Sequence, residues 1–90
     1  MRLEWLDEAS ESYAEIIDYI ADRNPKGARA IAALIDQTVE RIVNNPYLYR
    51  PGRVPNTREA VAHPNYLIIY RVELTAVVIV AVLHARQQYP

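Results

Sequence analysis

The sequence predicts an α+β domain of order β-α-α-β-β-β, with a helical hairpin packed on one face of a largely antiparallel sheet. Three observations predict it. Tyr66–Val72 and Ala76–His84 are two runs rich in β-branched and aromatic residues, which suit a crowded pleated surface. Residues 9–20 and 28–43 carry apolar side chains at three- and four-residue spacing, the period of an amphipathic helix. Asn24-Pro25 and Asn44-Asn45-Pro46 interrupt that period where a helical hairpin would turn and then end. Ninety residues make one domain, 1–90.

Residues 2–6 alternate weakly around Trp5 and read as a short strand. Asp7 is placed to cap a helix through about Ala21, with Glu8 and Glu11 near its positive end. Ala9, Tyr13, Ile16, Ile17 and Ile20 form its apolar stripe, opposite a solvated acidic stripe of Glu8, Glu11, Glu15, Asp18 and Asp22. Asn24 fits the cap of the next helix, and Pro25 fits its first turn, where the missing N–H would be unpaired anyway. That helix presents Ala28, Ile31, Ala32, Leu34, Ile35, Val39, Ile42 and Val43.

Residues 46–57 hold Pro46, Pro51, Pro55 and Gly52, which predicts an irregular, stiff connection pinned to the core by Tyr47, Leu48 and Tyr49. Thr57–His63 reads as a strand, and Pro64-Asn65 as the centre of a tight turn into Tyr66. In Tyr66–Val72 the even positions share one face, while Leu67, Ile69 and Arg71 share the other. The last strand is apolar at odd and even positions alike, so it is expected inside the sheet with both faces covered. A polar tail, Ala85 to Pro90, follows it.

The chain has no cysteine, which removes disulfides and cysteine-based zinc sites and suits a reducing cytosol. Its N-terminus lacks the apolar core of a signal peptide, and no run is long enough to span a bilayer as a helix. A cytoplasmic protein without a membrane partner is expected. Net charge is −1, yet residues 1–45 hold five Lys/Arg against nine Asp/Glu, and residues 46–90 hold five Arg against two Glu. That segregation allows one basic face on a nearly neutral protein.

No Ser/His/Asp or Cys/His arrangement, phosphate-binding loop or metal-spaced histidine pair is present, so no metal or cofactor is expected. Metal-free RNA cleavage needs a base, an acid and cations for the phosphorane charge. His63, His84, Arg58, Arg71, Arg86 and Tyr89 are the residue types for it here, with His63 and His84 also fitting structural hydrogen bonds. Arg71 stands beside Glu73, which allows a simple ion pair, whereas Arg86 and Gln87 lie beyond the sheet, where packing does not account for them.

Tyr49-Arg50-Pro51-Gly52-Arg53-Val54-Pro55, Arg58-Glu59, His63-Pro64-Asn65-Tyr66, Tyr70-Arg71-Val72 and Leu83-His84-Ala85-Arg86-Gln87-Gln88 together resemble the ParE branch of the RelE/ParE toxins of bacterial type II toxin–antitoxin systems. The resemblance runs over nearly the whole chain and is specific in residues 46–90. It implies a RelE/ParE-like fold and a small toxin that a cognate antitoxin neutralises. ParE-type members are associated with DNA gyrase, which would make Arg71, His84, Arg86 and Gln87 target-binding. RelE-type members cut messenger RNA on the ribosome, which would make Arg58, His84, Arg86 and Tyr89 catalytic. That nuclease set is incomplete: Leu67 falls where the group's strand arginine would be, and Tyr89 lies close to Arg86. Many relatives carry an arginine where this chain has Ala81, so a detoxified module that only binds its antitoxin is a third reading. The two-sided apolar last strand needs cover, and Val78, Val80 and Val82 are the expected antitoxin-binding strip, with a homodimer as the competing cover. Direct DNA binding is not expected without the antitoxin.

Overall fold

The computed structural model describes all of residues 1–90. The elements are β1 (Arg2–Trp5), α1 (Asp7–Ala21), α2 (Pro25–Asn44), β2 (Arg50–Pro51), β3 (Arg58–His63), β4 (Tyr66–Val72) and β5 (Ala76–His84). They form one five-stranded sheet in the order β1-β5-β4-β3-β2. β1 runs parallel to β5, and the other pairings are antiparallel. The longest apolar strand, β5, therefore lies inside the sheet, as its two-sided composition demands. The fifth strand is the departure from expectation. Arg50 and Pro51 pair with Glu59 and Arg58 in the stretch read as irregular. Pro51 has no N–H to offer a further strand, so this edge ends there.

Helix α2 starts as its sequence dictates: Asn24 Oδ1 accepts the Gly27 N–H at 3.0 Å, and Pro25 opens the first turn. Helix α1 starts one residue earlier than expected. Leu6, extended at φ −67° and ψ 147°, is its cap, and it has no side-chain oxygen to offer. Asp7 instead sits in the first turn beside Glu8, where their charges favour the helix dipole without a capping bond. The Tyr13 hydroxyl ties the helices together, donating to Asp36 Oδ1 at 2.7 Å and lying 3.2 Å from the Ala32 carbonyl. Burial and the Asp36 carboxylate push the Tyr13 phenol far above its ordinary pKa.

The core lies between the helices and the sheet, with Ile35, Val39 and Ile42 of α2 against Ile68, Tyr70, Val77 and Ile79. Burying an aliphatic side chain of this size is worth roughly 1.5–3 kcal/mol. Leu34 is not among these: it is 38% exposed, and Thr38, bonded to the Leu34 carbonyl at 2.8 Å, takes the buried position one turn on. The connection after α2 is held by fewer side chains than expected. Tyr49 meets Tyr70 edge-on at 6.3 Å, and the buried Tyr70 hydroxyl donates to the Pro46 carbonyl at 2.6 Å. Tyr47 and Leu48 stay exposed. A side chain at Gly52 would collide with Thr57 Oγ1, where the Gly52 N–H closes the loop on the Thr57 carbonyl at 2.8 Å.

One irregularity decides which residues face which layer. Ile69 pairs with Ala81 but Tyr70 pairs with Ile79, so Val80 is an extra residue in β5. Val77, Ile79 and Val82 consequently all face the helices. Ala81 and Leu83 turn to the opposite face, where they join Ile69 in a second small cluster covered in part by Val80 and Tyr89.

Candidate functional site

The arginines of the basic half are spread over both faces and one end of the sheet, Arg58 pairing across with the core residue Tyr70 and Glu59 with Ile69 of the opposite face, and three of the five have carboxylate partners. Glu59 is 5% exposed and receives the Arg53 backbone N–H and Arg53 Nε, both at 2.9 Å, with Arg50 Nη2 at 3.4 Å. Burial pushes the Glu59 carboxyl up. The Arg53 hydrogen bonds and the Arg53 and Arg50 charges outweigh that, and the group sits below its ordinary range. Arg71 Nε donates to Glu73 at 2.7 Å, and Arg2 pairs with Glu4 at 2.6 Å. Arg58 donates from its guanidinium Nη1 to the carbonyls of Tyr49 (2.7 Å) and Tyr47 (3.3 Å), with its Cζ over the Tyr47 ring, 5.1 Å from the centroid. Burial pushes the neighbouring Tyr70 phenol up to about 12, with the Arg58 charge opposing the rise and Tyr49 adding to it.

The other candidates gather at the far end of the β4–β5 hairpin. His63 Nδ1 accepts the Asn65 N–H, and His84 Nδ1 accepts the Arg86 N–H, each at 3.1 Å. Each histidine thus organises the turn that follows it. Tyr66 stands between them, 5.8 Å from the His63 ring and 5.5 Å from that of His84. The Ala85 N–H donates to the Asn65 carbonyl at 2.7 Å, which joins the two turns. Arg86 and Gln87 are exposed just beyond, and Tyr89 packs back on the second cluster. The structure therefore brings His84, Arg86 and Gln87 together and leaves Arg58 and Arg71 apart from them. His84, Arg86 and Tyr89 do share one end of the molecule, but Tyr89 is engaged in packing.

The expected apolar strip does not exist as a surface. Val78 and Val82 are each 1% exposed, and the Val80 bulge puts Val82 in the helix-side core, leaving only Val80 half-buried. The open apolar surface is elsewhere. A groove of about 530 Å³ runs along Trp5, Tyr13, Ala14 and Ile17, and another of about 440 Å³ along Leu3, Trp5, Val39 and Val43. Trp5, stacked on Tyr13 at 5.6 Å, separates them. Both flank β1, which has no neighbour on its outer side. The Arg2 amide donates to the Thr75 carbonyl just before β5 and the Leu6 amide to the Ile79 carbonyl within it, each at 3.0 Å, so by alternation those of Leu3 and Trp5 face the free edge.

Trp5, Leu3 and Glu59 are not among the candidate site residues that the sequence suggests. The signal for Glu59 is its isolation, since it is the one carboxylate between Tyr47 and Val72, a stretch with four arginines, Arg50, Arg53, Arg58 and Arg71. The signal for Trp5 is a lone tryptophan on a short first strand. No group of three or more His, Cys, Asp or Glu is placed to hold a metal ion, and no helix is long and apolar enough to cross a membrane.

Comparison with known proteins adds sequence and fold relationships. A family model described as the ParE toxin of type II toxin–antitoxin system, parDE, matches residues 3–89. The Y4kP protein of Sinorhizobium fredii (strain NBRC 101917 / NGR234), named as a toxin, is 38% identical over 90 residues, spanning 99% of this chain and 93% of that one. Among solved structures, a chain of the chromosomal ParDE TA system from P. aeruginosa superimposes with a TM-score of 0.81 at 23% identity, covering 93% of this chain and 95% of that chain. The YoeB/ParE toxin from Agrobacterium tumefaciens gives 0.68 at 11% identity, covering 99% and 100%. At these identities the two structures share the fold.

Proposed function

The chain belongs to the ParE toxin family of type II toxin–antitoxin systems, and from that premise we propose that it inhibits DNA gyrase by binding, without chemistry of its own, while a cognate antitoxin keeps it inactive. The observation that carries the reading is the pairing of the sheet arginines. A metal-free ribonuclease needs cations free to meet phosphorane charge and a proton donor and acceptor beside them. Here Arg71 is engaged by Glu73, and Arg50 and Arg53 are engaged by Glu59. Arg58 spends a nitrogen on two carbonyls. Arg86 and Gln87 remain exposed at one tip, suited to bidentate contact with carboxylates on a protein.

The antitoxin's place in this reading is the Trp5 grooves together with the free edge of β1, in place of the buried Val78 and Val82. An extended segment added along Leu3 and Trp5 gains main-chain hydrogen bonds, and its apolar side chains enter the grooves on either side of Trp5.

A gyrase supercoiling reaction tests the proposal. Added protein is expected to block supercoiling or trap a cleavage complex, and unchanged supercoiling overturns the target assignment. Programmed ribosomes provide the contrast, because an A-site cut would replace this reading with a ribonuclease. Leu3→Asp, at an exposed edge position, is expected to weaken capture by the antitoxin without lowering thermal stability; undiminished capture removes the edge from the interface.

A further inference from the structure

A cup of about 240 Å³ opens between α1 and the turn end of the β4–β5 hairpin, lined by Glu15, Ile16, Tyr19, Tyr66 and His84. Its walls are ordered. Tyr66 and His84 occupy paired positions at the strand ends and meet edge-on, with ring planes at 79°. His84 is fixed through Nδ1 by the Arg86 amide, and His63 supports Tyr66 from its other neighbour position. Tyr19, 63% exposed, forms part of the rim with the exposed Glu15 carboxylate. Glu15 lies midway along Glu8, Glu11, Asp18 and Asp22, a stripe with no Lys or Arg anywhere in residues 3–22. The molecule also shows what such a ring attracts: the Arg23 guanidinium sits 3.9 Å from the Tyr19 ring centroid.

We propose that this cup is a docking site for an arginine or lysine side chain from a basic segment of a protein partner. The methylene stem lies against Ile16 and the tyrosine rings, and the cationic head meets Glu15 and the ring faces that remain open, one face of Tyr19 being taken by Arg23. Charge complementarity selects this occupant. The acidic stripe repels an anion, and an apolar side chain would strip water from Glu15 without offering it a partner. The site is separate from the Trp5 grooves and adjoins the Arg86 tip through His84, which lines the cup and accepts the Arg86 N–H, but the proposal does not rest on the toxin reading.

Titration of the full chain with N-acetyl-arginine amide, followed by NMR, tests this, with the uncharged citrulline counterpart as control. Saturable shifts are expected at the Tyr66 and His84 ring signals with arginine and not with citrulline. Glu15→Gln and Tyr19→Leu, both at exposed positions, are each expected to weaken binding by about three- to tenfold. Glu8→Gln, at the far end of the stripe, is expected to leave it unchanged. Equal response to arginine and citrulline overturns the proposal. So does an unchanged affinity in Tyr19→Leu, or a Glu8→Gln loss equal to that of Glu15→Gln, which marks diffuse attraction to an acidic face.

Discussion

Glu59→Gln is the substitution with the most to reveal about the sheet's basic side. Glu59 is 5% exposed and holds β2 and the loop after it through Arg50 and Arg53. Glutamine keeps the shape and can still accept the Arg53 backbone N–H, but it leaves the Arg53 guanidinium without its counter-charge. Hydrogen bonds to charged groups are worth roughly 1.5–3 kcal/mol when buried. The arginine side chains are 36% and 61% exposed, so water returns part of the loss. A net cost of about 1–2 kcal/mol follows, which for a chain of this length lowers Tm by roughly 5–15 °C. The sign with pH is set by the lowered folded-state pKa of Glu59. Its contribution is complete above the unfolded value of about 4.3 and disappears as pH falls through the folded value. Melts followed by circular dichroism should therefore show wild type and variant well separated at about pH 7 and converging as pH falls below the ordinary glutamate value of about 4.3. Equal stability at neutral pH, or a gap that does not narrow in acid, refutes the account of Glu59 as a buried charged clasp.

Asn24→Ala removes the side-chain acceptor for the Gly27 amide and is expected to cost about 1 kcal/mol in denaturant unfolding; no loss means that the cap is redundant. Tyr70→Phe leaves the Pro46 carbonyl without its buried donor, at a cost of about 1–2 kcal/mol. Because the Tyr70 phenol is pushed up to about 12 in the folded chain, its contribution is full below about pH 10 and fades as pH rises toward that value. Alkaline melts should accordingly bring the Phe variant closer to wild type, and a constant difference up to about pH 12 counts against it. Arg86→Ala combined with Gln87→Ala is expected to reduce toxicity in a growth assay while antitoxin capture in a pull-down stays intact. Equal losses would show that the tip belongs to the antitoxin's interface. The double substitution is cleaner than deleting the tail, since deletion also uncovers Ile69, Ala81 and Leu83.

The elements that could be read locally were those whose period is local. Ile35, Val39 and Ile42 repeat at helical spacing, and Asn24-Pro25 carries its own capping chemistry, so α2 was legible to within a residue. The interior place of β5 followed from its lack of any polar face. What stayed hidden lacked a local signal. Val80 is flanked by Ile79 and Ala81, and a wholly apolar run contains no phase from which a bulge can be read. The strip of Val78, Val80 and Val82 was drawn on the assumption of unbroken alternation, and one inserted residue invalidates it. β2 is two residues long and half proline, and its existence depends on partners seven and nine positions away. The site residues divide in the same way. The exposure of Arg86 and Gln87 followed from their place beyond the strand, while the commitments of Arg50 and Arg53 to Glu59 are set by tertiary pairing.

The Val80 bulge also bears on how the small charged tip is held. By turning Ala81 and Leu83 to the open face, it creates an apolar patch with Ile69, against which Tyr89 packs. Ala81 is 6% exposed in that patch; a long cation there would compete with Tyr89 for the same space. At the other end of the tail, the Arg86 and Gln87 amides donate to His84 Nδ1 and the His84 carbonyl at 3.1 and 2.9 Å. Arg86 and Gln87 are thus held between two anchors, His84 on one side and Tyr89 on the other. A segment already restrained loses less conformational freedom when it docks, and that saving goes directly into affinity. The small side chain of Ala81 leaves room for Tyr89, whose packing helps to hold the exposed Arg86 and Gln87 in place.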